Sequence, residues 1–124
     1  MKTKVLTVVL AIIFLVSGGA KLLGLEFELE AFSRWGYPLW FMYLTGVIEV
    51  VGGVALLVPR LASYAAVGLS VVMVGAVATH LINSEWVMLV IASVILALLL
   101  WRSYIGKAEI VKVIRAITGS SAAT

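Results

Sequence analysis

The chain of 124 residues is 64% hydrophobic, is charged at only 12% of positions, and has a mean hydropathy of +1.21. A soluble domain this small needs a polar shell that such a composition does not supply, so its surface is built for lipid. With no cysteine in the chain, disulfides, thiol redox chemistry, iron–sulfur ligation and thiolate metal sites are excluded within it, and a net charge of +3 spread along its length is no nucleic-acid footprint.

The first apolar run, Val5–Leu25, approaches the ~20 residues that cross a hydrocarbon core. Its basic opening and the small residues Gly18 and Ala20 also suit a signal peptide. The run resumes at Leu22–Leu25 beyond the supposed cleavage site, which favours a retained span. Lys21 lies near the far end of this span, with Ser17 one turn before it. A lysine there either snorkels to the headgroups or turns inward to a partner.

The next stretch, EFELEAFSRWGYP, alternates acids with Phe27, Leu29 and Phe32. It suits a short amphipathic helix or a lid over a pocket, with Arg34 as an extra cation. Gly36 and Pro38 then punctuate the chain before a second run, Leu39–Val58. Glu49 is the single charge between Arg34 and Arg60. It sits about ten residues into this run, or roughly 15 Å at 1.5 Å per residue, close to the membrane midplane. An acid there costs at least ~2.5 kcal/mol on insertion scales, so a functional role is the default reading. Gly46 and Gly53 share its helix face and mark where another helix approaches closely. Thr45, one turn before Glu49, adds a hydroxyl to the same region.

A third run, Leu61–Ile82, repeats the glycine spacing at Gly68 and Gly75, which predicts a second packing seam, and carries the single histidine, His80, near its end. His80 is either a ligand-facing group or an interfacial histidine with no ligand. After Asn83–Ser84–Glu85 comes a fourth run, Trp86–Ile105, and then a basic amphipathic tail over 106–124. In that tail Ile110, Ile114 and Ile117 alternate with Lys107, Lys112 and Arg115, as in a helix lying on anionic lipid rather than one docking a partner.

These runs predict an all-α, polytopic membrane protein, an antiparallel four-helix transmembrane bundle. With both termini on one side, seven of the nine Lys and Arg residues collect there and only Lys21 and Arg34 face the other side. The positive-inside rule makes the termini cytoplasmic. Trp35, Tyr37, Trp40, Tyr43 and Trp86 would mark the outer interface, and Tyr64, Trp101 and Tyr104 the inner one. Helical side chains lean toward the N-terminus, so Lys21 and His80 lean inward while Glu49 leans outward. All three are expected to converge in an outer-half pocket, with Ser17 and Thr45 completing it. A purely structural Lys21–Glu49 pair is the plain alternative.

SGGAKLLG in the first span, GYPLWFMYLTGVIEVVGGVALLVPR in the second and GAVATHL in the third resemble the DoxX-like family of small four-helix membrane proteins. The likeness runs over about residues 8–83. By that resemblance Gly18, Lys21, Glu49, Gly53 and His80 are signature positions, and Gly18 joins Gly46, Gly53, Gly68 and Gly75 as a helix-packing glycine. Some members are similar to the membrane subunit of a thiosulfate–quinone oxidoreductase. Others are described as membrane partners of superoxide dismutase and a sulfurtransferase, and distant relatives act as assembly chaperones. The resemblance therefore implies a bacterial inner-membrane protein, an accessory subunit of a redox system that binds a small lipophilic molecule such as a quinone. Glu49 would accept or relay a proton, Lys21 would hold it anionic, and His80 would hydrogen-bond a carbonyl oxygen. A non-enzymatic assembly or scaffold protein is the alternative. A single histidine excludes a bis-histidine haem within one copy. No intrinsic cofactor and no metal site are expected. The partners are the lipid bilayer, a membrane or redox protein, or a second copy of the chain, and no nucleic acid.

Overall fold

The computed structural model describes residues 2–119, and residues 120–124 of the expected tail lie outside them. Among the described residues six helices follow one another: α1 (Lys2–Leu22), α2 (Glu26–Trp35), α3 (Leu39–Leu56), α4 (Ala62–Ile82), α5 (Trp86–Ile105) and α6 (Lys107–Thr118). Four of them, α1, α3, α4 and α5, are long and apolar enough to cross a membrane. The chain is an all-helical integral membrane protein.

α1 stops at Leu22 rather than Leu25, because Gly24 takes a left-handed backbone and Leu25, extended, then caps the start of α2. α3 ends two residues early, at Leu56, where the chain enters the turn around Pro59. α2 is closed by Gly36, whose φ of 81° a side chain would resist and whose amide reaches back to Phe32 and Ser33. Pro38, with no amide hydrogen to lose, then opens α3.

Consecutive spanning helices are neighbours, so the bundle runs up and down with α1 closing against α5. α1 and α3 form its tightest pair. A Cβ on Gly18 would stand 2.7 Å from the Gly46 carbonyl oxygen and 2.9 Å from the Val50 amide, so the two backbones meet with nothing between them. Further along, a Cβ on Gly53 would press on Leu15 at 3.0 Å and on the Ala11 carbonyl at 3.2 Å.

The expected second seam on α4 is absent. Gly68 and Gly75 are exposed, and a Cβ on either meets nothing within 4 Å. A spacing of seven puts two glycines on one face, but it does not say whether that face meets a helix. It is Gly52, on the other side of α3, that receives a side chain from α4, that of Leu69.

The two ends of the bundle are packed differently. Leu10, Leu56, Ala66, Leu69 and Leu99 fill the terminal half, in which α1 begins and α5 ends. The other half, beneath α2, is hollow.

At the terminal end α6 leaves the bundle and touches the ends of α4 and α5. Arg102, one of the seven basic residues expected on this side, is buried there. Its Nε donates to Thr7 Oγ1 at 2.7 Å and its Nη1 to Ser63 Oγ at 3.3 Å, tying α5 to α1 and α4. A Cβ on Gly106 would land on Ser63 and on this guanidinium, so the corner into α6 has room only for glycine.

The glycine contacts divide the substitutions sharply. Gly18→Ala forces backbones apart and should cost about 1–3 kcal/mol, as overpacking typically does. Gly68→Ala meets open space and adds a better helix former, so it should be neutral or stabilising by up to about 1 kcal/mol. Thermal melting of the two variants in one detergent checks this, and equal melting temperatures would contradict the assignment of the α1–α3 crossing.

Candidate functional site

The hollow half encloses a cavity of about 430 Å³ reached by side chains from α1 to α5. Its walls are mostly apolar: Ile13 and Phe14 from α1, Val72 and Ala76 from α4, Ala92 and Ile95 from α5. Leu44, Ile48 and Val71 line it while exposing 45%, 41% and 69% of their own surface, so it opens sideways between α3 and α4 toward the lipid-facing exterior.

One polar cluster stands on the α1–α3 side. The close crossing at Gly18 and Gly46 brings Lys21 against Glu49, and Nζ lies 2.8 Å from Oε1. Ser17 Oγ accepts from Lys21 Nζ at 2.8 Å and donates to Glu49 Oε2 at 3.0 Å. Lys21 and Glu49 are both buried, so the lysine does not snorkel. A third member comes from α2: Glu28 Oε2 is 3.1 Å from Nζ, close enough for ion pairing but outside the hydrogen-bonding direction. Lys21 therefore ties α1, α2 and α3 together.

His80 lines the same cavity but belongs to a different cluster. Its Nδ1 is 2.8 Å from Glu85 Oε1, which also accepts from Trp35 Nε1 at 2.9 Å. Glu85 Oε2 accepts from Arg34 Nη2 at 2.7 Å and from Arg34 Nε at 3.1 Å. Glu85 thus fastens the end of α2 to the α4–α5 turn. Arg34 is not the extra pocket cation expected of it, because its guanidinium lies outside on this clasp. Thr45 faces the cavity, but its hydroxyl donates to Phe41 O on its own helix.

Rings close the cavity beneath α2. Phe32 lies 5.1 Å from Trp35 and 6.1 Å from Tyr37, while Tyr37 is 5.3 Å from Phe41 and Trp35 is 5.5 Å from His80. Trp35 and Tyr37, expected as interface anchors, are wall residues of the cavity instead. Tyr37 hydroxyl and Thr79 Oγ1 are 2.8 Å apart. Since Thr79 donates its proton to Gly75 O, Tyr37 is the donor of that pair. Gly75, far from packing a helix, lines the cavity and helps to keep it open.

Sequence reasoning missed Glu28, Glu85 and Arg102. The two acids sit in polar connecting segments, where solvation is the ordinary fate of a carboxylate. Their partners, Lys21 for one and Arg34, Trp35 and His80 for the other, lie on elements whose approach no spacing reveals. Among the described residues no three His, Asp or Glu side chains converge as metal ligands.

The model of the DoxX-like family matches residues 5–103, from the start of α1 almost to the end of α5. The chain belongs to the DoxX-like family. It is also 32% identical over 80 residues to a protein of Bacillus subtilis (strain 168) described as uncharacterized protein YdgD, a match that covers 61% of this chain and 70% of that protein. No solved structure matches it. The family match takes in α5 as well, beyond the residues 8–83 that carry the resemblance by motif.

The clasp has a signed pH dependence. Burial pushes the Glu85 carboxyl up, but hydrogen bonds from His80, Arg34 and Trp35 outweigh it and hold the group below its ordinary range. A lowered folded-state pKa adds stability above the ordinary glutamate value, and this is lost as pH falls through the folded value. Wild type should therefore melt above Glu85→Gln at neutral pH, with the gap closing as pH drops below the ordinary carboxylate range. A gap that persists unchanged in acid would contradict the charged clasp.

Proposed function

We propose that this DoxX-like protein binds a small lipophilic molecule with a polar head, such as a quinone, as an accessory subunit of a membrane redox system. The observation that carries the reading is the buried Lys21–Glu49 pair set in the wall of an otherwise apolar cavity open toward lipid. A pocket of a few hundred Å³, mainly hydrophobic and with a few convergent polar groups, is the usual form of a small-molecule site. A ring would lie in the apolar cavity against Phe32, Tyr37 and Phe41, which line it, with its head group turned toward the polar cluster on the same wall. Glu49 accepts or relays a proton there, and Lys21 and Ser17 hold the carboxylate in place.

In this reading the protein lies in the bacterial cytoplasmic membrane with both termini inside, so α2 and the cavity face outward. Lys4, Arg60 and the basic residues of α6 then meet the anionic inner headgroups. Electrons reach the ligand from a partner protein, because the residues of the cavity offer none.

The scaffold reading draws on a different observation: Lys21 ties three helices by itself and explains their register without any ligand. Extraction separates the two. Gently solubilised wild type should release a ring-bearing lipophile close to one per chain, detected by mass spectrometry. Ala76→Leu fills the cavity while leaving every polar partner in place, and should retain at least about tenfold less, the loss expected for about 1.4 kcal/mol. Extracts of both proteins that contain only bulk lipid would favour the scaffold.

A further inference from the structure

The hydrogen-bond inventory of the cavity is one-sided. Among the described residues that line it, each side-chain donor already has an acceptor inside the protein. Lys21 directs its ammonium to Ser17 and Glu49, with Glu28 beside it. Ser17 gives its proton to Glu49, and Thr45 gives its own to Phe41 O. Thr79 donates to Gly75 O and Tyr37 donates to Thr79. Trp35 donates to Glu85, and so does His80 from Nδ1.

Acceptors are left over. Two carboxyl groups, Glu28 and Glu49, face one ammonium. Glu28 Oε2 is buried and takes part in no hydrogen bond. In the neutral ring His80 Nε2 is a further acceptor, since Nδ1 carries the proton given to Glu85. While His80 is neutral, a ligand that brings only acceptors, such as the two carbonyl oxygens of a quinone, finds no free donor and buries its oxygens unpaired. A ligand that brings donors completes the cluster.

We infer that the cavity selects a lipophile whose head donates hydrogen bonds, and hence takes the reduced, dihydroxy form of a quinone in preference to the oxidised form. The inference rests on the quinone reading above for the ring and adds which redox form the site holds. A hydroquinone hydroxyl would donate to the Glu49 or Glu28 carboxyl, and its ring would lie in the cavity against Phe32, Tyr37 and Phe41. The shared chemistry, a donating head on an apolar body, also belongs to a protonated alkylamine, which the two carboxyl groups would attract.

The test is equilibrium binding to the purified full chain in detergent, under anaerobic reducing conditions where needed. The probes are a decyl-substituted hydroquinone, the matching quinone, the dimethyl ether of the hydroquinone, and decylamine. The hydroquinone should bind at least about tenfold tighter than both the quinone and the ether, the difference corresponding to about 1.4 kcal/mol. Glu28→Gln keeps a carbonyl acceptor of the same reach beside Lys21 and adds an amide donor, so α2 should stay docked and the preference should shrink. Quinone binding as tightly as hydroquinone would overturn the inference and leave the quinone reading intact. Decylamine binding while neither ring form binds would keep the donor rule and sink the quinone reading. Preference for the ether over the hydroquinone would overturn the donor rule outright.

Discussion

One ammonium organises the α2 end of this protein. Lys21 sits between the carboxyl groups of Glu49 and Glu28, at 2.8 Å and 3.1 Å, and so joins a spanning helix to its neighbour and to the short helix above them. In low dielectric none of the three groups is tolerable alone, and each is acceptable beside the others. The reach of Lys21 depends in turn on backbone contact at Gly18 and Gly46. A side chain at either glycine widens the crossing and breaks the pair. Packing and electrostatics are thus one constraint here, written in two residue types.

That constraint explains why the bundle is solid at one end and hollow at the other. Leucines and alanines close the terminal half, where Arg102 donates to two hydroxyls. In the other half the polar cluster occupies one wall, the ring group forms the roof, and the Glu85 clasp holds the roof to α4 and α5. A cavity of this size left without support would collapse or fill with side chains. The roof is anchored at both ends instead, by Glu28 to Lys21 and by Arg34 and Trp35 to Glu85.

The parts of this arrangement that the sequence made legible are those with a large energetic signature. Four apolar runs of spanning length announce membrane helices, and an acid ten residues into one of them stands out because lipid makes it expensive. Glycines flanking that acid point to a close helix approach. The same spacing on α4 misleads, since Gly68 and Gly75 face open space. Glu28 and Glu85 are ordinary acids in polar segments, and only the fold turns them toward Lys21 and His80. Arg102 reads as one more charge of the positive-inside count until Thr7 and Ser63, distant in sequence, are seen to bind it. Long-range partners of surface-like residues are what periodicity cannot carry.

The central claim is that Lys21 and Glu49 are coupled and that their coupling serves the cavity. A double-mutant cycle with Lys21→Met and Glu49→Leu, read by thermal stability and by retained lipophile, tests it most directly. Each single variant should be destabilised, Lys21→Met the more, because it leaves two carboxyl groups facing each other, with losses on the order of 3–5 kcal/mol for breaking a buried pair. The double variant should recover part of that stability, showing a coupling above about 1 kcal/mol, and should fold without its ligand. Additive losses would mean that the two residues do not act together, and a double variant that keeps its ligand would contradict the site.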